Sequence, residues 1–473
     1  MRQVSMYMRR LLLIYIIGMV VSPSIIGQTE TRLQLLSSNP SQSLITISYD
    51  LLIIAPDEFT KTLQPLVTHK DEHAMKTTLV SLSSVYEEMF WHGRDDAEKI
   101  KYFIKQAYDS WGITYVMLVG DFRKMPVRYV NNQDVLQGFY EPQFISELYY
   151  ADIIDASGGF SSWDTDNDGI FGEWIDDGIS KKDEDRDIDL YPEVYVGRLA
   201  CRNNFEVRTM VDKIITYETE TYGSEWFDRI IVCAGDTYLE SENPEWVGSE
   251  GERNTLKVLE NMSGFDPVKL WTSDGSFTGV KDIIRSVNDG AGFLYFDGHA
   301  NPYRWSTHPP NDHTWVNGLS IITMSLLTNG YKLPVVVVGG CHNNQFDVHL
   351  GKLSEDPWYL YTWVPECWGW KMTRKINGGS IATIGCTGLG MTSEDKFDGE
   401  GGAGDYLEPS FFYEYGRNNT RYLGQCWGKA IADYLHAFPV DWNTPAARND
   451  AIDTKTVQQW ALLGDPSLLI GGY

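Results

Sequence analysis

The sequence predicts an α/β protein built on parallel sheets. Two observations carry this. The short apolar runs are continuous rather than alternating, as strands covered on both faces are. Segments with helical apolar spacing stand between them, which gives a β-α-β order. The runs fall into two series. The expected architecture is therefore two packed parallel α/β blocks flanked by helices, over 47–222 and 223–473.

In the first block, Leu51-Leu-Ile-Ile-Ala55 and Tyr115-Val-Met-Leu-Val119 read as buried strands. Between them Ile100, Phe103, Ile104, Ala107 and Tyr108 share one helical face. A second helix carries Val207, Met210, Val211, Ile214 and Ile215, with Asn203 and Asn204 as candidate N-caps. In the second block the strands are Ile230–Cys233, Phe293–Phe296, Val335–Val338 and Ser380–Ile384. Val280, Ile283, Ile284 and Val287 mark a helix there. Residues 155–190 form an acidic, Gly-rich insertion, and 388–405 a second Gly- and acid-rich loop. Such insertions usually lie at the surface, where function often resides.

Composition narrows the function classes. Lys plus Arg number 39 and Asp plus Glu 65 in 473 residues, a net charge of −26. Phosphate backbones are bound by clustered cations, so nucleic acid is excluded as a partner and anionic lipid disfavoured. Hydrophobic residues at 42% and aromatics at 13% supply ample surface to bury, which excludes a disordered acidic chain.

Residues 1–27 have the layout of a secretory signal. Arg2, Arg9 and Arg10 precede the apolar run Leu11–Val21, and Ser22-Pro23-Ser24 follows. The expected location is secreted or cell-surface. An uncleaved membrane anchor is the alternative, although the run is short of the roughly 20 residues a span needs. Residues 28–46 read as a short leader. Cys201, Cys233, Cys341, Cys367, Cys386 and Cys426 are an even set that three disulfides would use up. A catalytic thiol among them would leave at least one unpaired.

Ligands of open parallel sheets bind beyond the carboxyl ends of the strands. Ile230–Cys233 leads into Ala234-Gly235-Asp236, and Phe293–Phe296 into Asp297-Gly298-His299-Ala300. Val335–Val338 leads into Gly339-Gly340-Cys341-His342-Asn343. Ser380–Ile384 leads into Gly385 and a loop carrying Glu394 and Asp395. A His and a Cys thus each follow an apolar strand, directly behind a glycine that permits a sharp turn and close approach. Singly, such a Cys is an ordinary core residue and such a His an ordinary loop residue. Together they suffice for nucleophilic acyl transfer: the imidazole helps form the thiolate and then protonates the leaving amine. Backbone N–H groups near Cys341 would hold the oxyanion, and Asp236 would orient the imidazole.

At these residues the sequence resembles the gingipain family of cysteine peptidases, which share the caspase-like fold. The segments are Phe-Leu-Tyr-Phe-Asp-Gly-His299-Ala and Val-Val-Val-Val-Gly-Gly-Cys341-His-Asn-Asn-Gln-Phe-Asp. Met117-Leu-Val-Gly-Asp121 with Met125-Pro126 and Val194-Tyr-Val-Gly-Arg198 with Lys213-Ile-Ile-Thr-Tyr217-Glu218 are similar to elements of the family's first block. Pro365-Glu-Cys-Trp-Gly369 and Leu462-Leu-Gly-Asp-Pro-Ser467 resemble later ones, so the likeness runs in order over about 47–473.

The resemblance implies a secreted cysteine endopeptidase acting on proteins and peptides, with no cofactor for catalysis. Cys341 matches the nucleophile, His299 the acid/base and Asp236 the group orienting it. The N–H groups of Ala300 and Cys341 match the oxyanion hole. Cleavage after Lys or Arg is implied by an acidic pocket residue, which Asp395 matches with Glu394 adjacent. Asp297 points the same way as His299 on an extended chain and is an alternative pocket anion. A catalytically inactive binding protein on the same fold, or a cysteine amidase or transpeptidase, are the rival readings. Three departures stand out. Ala300 replaces the family's Gly, which would strain a left-handed position. Met391 and Thr392 stand where the family places a tryptophan. The leader is too short for a pro-segment of the usual kind.

Asp164-Thr-Asp166-Asn-Asp168-Gly169-Ile170 places three carboxylates at alternate positions before a glycine. This is the first half of a calcium loop, with Ile170 offering a backbone carbonyl. Ile175 occupies the place of the closing Glu, and Asp176 or Asp177 is expected to substitute. Bound Ca²⁺ would order the insertion. His69-Lys-Asp-Glu-His73 is not HExxH, because Lys70 stands where the Glu must be. It predicts a surface helix or loop. His342 and His349 read as loop residues.

Overall fold

A ten-stranded sheet organises the chain. The computed structural model describes residues 48–473 except 134–140, 142, 176–184, 186–187, 242–247, 356–360, 392–401 and 443–448. The signal and leader segments, Asp176, Glu394 and Asp395 lie outside the described residues. The first strand series is β1 (Leu51–Ala55), β2 (Thr77–Ser81), β3 (Tyr115–Val119) and β4 (Tyr195–Leu199). The second is β5 (Arg229–Ala234), β6 (Asp266–Trp271), β7 (Phe293–Asp297), β8 (Val335–Val338), β9 (Ala382–Cys386) and β10 (Trp460–Leu463).

Their order across the sheet is β6-β5-β7-β8-β9-β10-β4-β3-β1-β2. Every neighbouring pair is parallel except β9 and β10, which run antiparallel. The two expected blocks are thus two halves of one sheet, joined edge to edge by β10. The strand expected at 380–384 sits two residues later. Edge strands β2 and β6 escape the apolar-run criterion because one or both faces meet solvent.

The flanking helices are α1 (Asp57–Glu72), α2 (Asp96–Trp111), α3 (Asn204–Glu220), α4 (Glu250–Asn261), α5 (Val280–Asp289), α6 (Gly404–Gly416) and α7 (Leu423–Ala437). Asn203 caps α3, its side chain accepting from the N–H groups of Phe205 and Glu206. Every residue of β1, β3, β7, β8 and β9 is buried. Each large apolar side chain so buried contributes about 1.5–3 kcal/mol. The β8 end, which carries the candidate nucleophile, thus leaves a fully buried strand.

Polar clamps fix the rest. Lys213 Nζ, buried under α3, faces the carbonyls of Thr373, Lys375, Gly378 and Ser380 at 2.5–3.2 Å and so anchors the turn entering β9. Lys70 Nζ bonds Glu218 at 2.7 Å and Asp465 at 2.8 Å, and His69 Nε2 lies 2.9 Å from Glu218. The surface expectation for the His69–His73 segment is thereby corrected: His69 and Lys70 are buried because Glu218 and Asp465 need partners. All six cysteines are free thiols, five of them buried and Cys341 half-buried.

Candidate active site

β7 and β8 are neighbours in register, Phe293 beside Val335 through Phe296 beside Val338. Their ends therefore deliver His299 and Cys341 side by side. Gly298 (φ 157°) and Gly340 (φ 116°) adopt backbone angles that favour glycine. A Cβ at Gly340 would fall 2.7 Å from the Ala300 nitrogen and 3.0 Å from the Gly298 carbonyl. The two turns are thus in backbone contact, and any side chain at 340 would push them apart. His299 and Cys341 line one cavity. Cys341 Sγ lies 3.9 Å from the Gly390 carbonyl. Burial pushes this thiol up to about 11, so it rests protonated.

His299 Nε2 lies 3.0 Å from the Thr237 carbonyl. A carbonyl only accepts, so Nε2 carries a hydrogen. The Thr237 segment is itself held. Asp236 and His308 exchange main-chain hydrogen bonds at 3.0 and 3.3 Å, and Glu250 accepts from the N–H groups of Thr237 and Tyr238. The Asp236 carboxylate is turned to the Asn311 N–H, at 2.6 Å. Nε2 thus rests on the carbonyl one residue beyond Asp236. The bridge to His308 sets the main chain that way.

The same cavity is lined by Glu250, Asp297, Asp405 and Glu408. Asp297 stands where the extended-chain argument puts it, among these acids. Its carboxylate accepts from Tyr295 Oη at 2.7 Å and Asn254 Nδ2 at 3.0 Å. Asn254 also bonds Asp405, at 2.8 Å, and Tyr295 Oη lies 2.9 Å from Glu408. Burial raises all four carboxyls, Glu250 and Asp405 each to about 7. Glu250, Asp405 and Glu408 are missed by strand-end reasoning, because they come from helices α4 and α6. Their one sequence signal is the i, i+3 spacing of Asp405 and Glu408, which puts both on one face at the start of α6.

The sequence profile of Peptidase family C25 matches residues 46–470. The chain belongs to this family. Gingipain R2 of Porphyromonas gingivalis is 21% identical over 301 residues, covering 63% of this chain and 32% of the relative. Lys-gingipain of the same organism is 21% identical over 363 residues, covering 73% of this chain and 16% of that one. The matched part is therefore at most about a third of these relatives. The crystal structure of the Arg specific cysteine proteinase gingipain R superposes with a TM-score of 0.62 at 18% identity, covering 89% of this chain and 78% of that one. The fold is thus shared.

Within this family C25 chain, Ala300 is not strained. It is extended, in a short strand paired with Trp305, and is absent from the left-handed residues. The Cys341 N–H has no acceptor among the described residues. Asn343 braces the turn, its amide donating to the carbonyls of Val338 and Gly340. Buried His342 (φ 54°) lies 3.4 Å from Glu141, which also pairs with Lys455 at 2.9 Å. Burial lowers its imidazole, so His342 is a neutral brace. Far from this site, Asp164, Asp166 and Asp168 bring carboxylate oxygens within 4.8 Å of one another. Asp164 also holds the N–H groups of Asp168 and Gly169 and pairs with Arg94. Ile170 N–H bonds Asp168 at 2.7 Å.

Proposed function

We propose that this chain is a cysteine endopeptidase in which Cys341 is the nucleophile and His299 the acid/base. The observation that carries this is the backbone contact of Gly340 with Gly298 and Ala300, which sets both side chains on one cavity. The resting thiol is protonated, so the sulfur needs a base as it attacks. His299 takes that proton and then gives it to the leaving amine. The N–H groups of Ala300 and Cys341 receive the oxyanion. Asp236 is a positioning residue, acting through the main chain that presents the Thr237 carbonyl.

A basic residue before the scissile bond is supported by the four carboxyls lining the cavity. Glu394 and Asp395 stay candidates on resemblance alone. The extended Ala300 removes the chief reason for reading the chain as an inactive binding protein. Secretion or surface display rests on residues 1–27; among the described residues no helix is long and apolar enough to cross a membrane. For the 164–170 loop we propose structural Ca²⁺ on Asp164, Asp166, Asp168 and the Ile170 carbonyl, with Asp176 completing it. Calorimetry with no Ca²⁺ uptake at millimolar concentration removes that site.

The deciding experiment is hydrolysis of fluorogenic peptides ending in Lys, Arg or norleucine under reducing conditions with Ca²⁺. Turnover and thiol-probe labelling are expected for the unaltered chain and not for Cys341→Ala. Activity surviving Cys341→Ala overturns the mechanism.

A further inference from the structure

The acids beside Cys341 are joined by a network whose protons can be counted. Tyr295 Oη lies 2.7 Å from Asp297 Oδ2 and 2.9 Å from Glu408 Oε2. A phenol has one hydrogen. With both carboxylates ionised, one of these short contacts would set lone pair against lone pair. One carboxyl therefore carries its own proton. Asp297 receives a second donor, Asn254 Nδ2. Glu408 has no other hydrogen-bond donor among the described residues. Its oxygens press on glycine: a Cβ at Gly339 would fall 2.6 Å from Oε2, and one at Gly404 2.7 Å from Oε1. The consistent arrangement is a chain: Glu408 donates to Tyr295 Oη, and Tyr295 donates to the Asp297 carboxylate.

Every element around Glu408 agrees. From β7 come Tyr295 and Asp297, from α6 Asp405, and from α4 Glu250 and Lys257. Asp236 acts to raise Glu250, and His299 and the protonated thiol of Cys341 face the cavity. The charge of Lys257 acts to lower Asp297 and Asp405. Burial, with the charge of Asp297 and then Asp405 added, pushes Glu408 well above the usual carboxylate range. Asp405 borders both this cavity and an open outer groove lined by Lys257, Tyr406, Asp433 and His436.

We propose that the cavity exchanges a proton for the cation it binds: an entering lysine or arginine side chain displaces the proton of Glu408, which leaves to solvent, and the charged carboxylate pairs with the ligand. This rests on the reading of the cavity as the site for a basic side chain. The balance is simple: cation plus neutral carboxyl gives an ion pair plus one free proton. Glu408 thereby becomes the specificity-determining residue, and basic selectivity rises with pH.

The test uses Cys341→Ala, which cannot turn over ligand, and calorimetric binding of matched lysine and norleucine peptides near pH 6.5. Titrations in buffers of different ionisation enthalpy give the proton count. About one proton released per lysine peptide and none per norleucine peptide is expected. In the active chain, the ratio of kcat/KM for lysine over norleucine should rise up to about tenfold per pH unit below neutrality. Glu408→Gln should flatten that slope. A lysine preference with no proton release overturns the exchange alone. No lysine preference at pH 8 overturns the basic-pocket reading and the exchange with it, while thiol labelling of Cys341 still reports on the peptidase reading.

Discussion

Two of the buried charge clusters in this molecule are built oppositely. Between α1 and α3, Lys70 lies against Glu218 and Asp465, with His69 on Glu218. Burial pulls the Lys70 amine down, but Asp465 and Glu218 more than offset this and raise it. Glu218 is held low in spite of burial, chiefly by Lys70. Beside Cys341, Glu250, Asp297, Asp405 and Glu408 gather around one phenol and one amide, and burial raises them all. In the first cluster each carboxylate touches a basic side chain. The second is stable only with protons or a cation in it. Charge mismatch, not charge count, separates the site from the scaffold.

The comparison breaks first at Lys70. Lys70→Met removes the cation shared by buried Glu218 and Asp465 and should cost about 3–5 kcal/mol in urea unfolding. A loss below about 1 kcal/mol would mean that the first cluster is no more balanced than the second. The pH dependence sharpens it next, because the signs differ. Glu218 is depressed, so its stabilisation is present above the unfolded carboxylate value and lost as pH falls through its folded value. Asp405 is raised to about 7, so its contribution is present below the unfolded value and lost as pH rises toward 7. Unfolding free energies between pH 4 and 7 should therefore fall less steeply in Asp405→Asn, by at most about 1.4 kcal/mol per pH unit.

Glu408→Gln is a smaller perturbation of stability. It replaces a neutral carboxyl by a neutral amide, and thermal unfolding should shift by no more than about 1 kcal/mol. A larger destabilisation would show that Glu408 is ionised and paired. Smallest is Ala300→Gly. With no left-handed strain to relieve, the change should cost about 0.5–1 kcal/mol in stability and leave kcat with no gain. A rise in kcat would reveal strain at Ala300.

Much of this was legible in the sequence where one residue type has one use. Four valines followed by two glycines specify a buried strand and the turn after it, and the β8–Cys341 element follows directly. The acids of the cavity were not legible beyond Asp297. Asp405 and Glu408 are more than a hundred residues from β7 along the chain and converge only through packing of α6. Burial of His69 and Lys70 is hidden for the same reason: their segment is polar, with Asp71 and Glu72 exposed, and only the distant Glu218 and Asp465 draw these two side chains inward. The contact of His299 Nε2 with the Thr237 carbonyl, one residue beyond Asp236, leaves no signature in the sequence. β10 was read as a motif rather than a strand, being short.

That strand carries a further consequence. β10 is the last strand of the sheet in chain order, yet it lies in the middle, between β9 and β4. Until Trp460–Leu463 is synthesised, each half-sheet presents a raw hydrogen-bonding edge of the kind that pairs with other chains. The amide of Asn344, three residues beyond Cys341, donates to Ala461 in that same strand, at 2.9 Å. The Cys341 turn and the central seam are thus finished in one event, so assembly of the thiol site waits until residues 460–463 have been made.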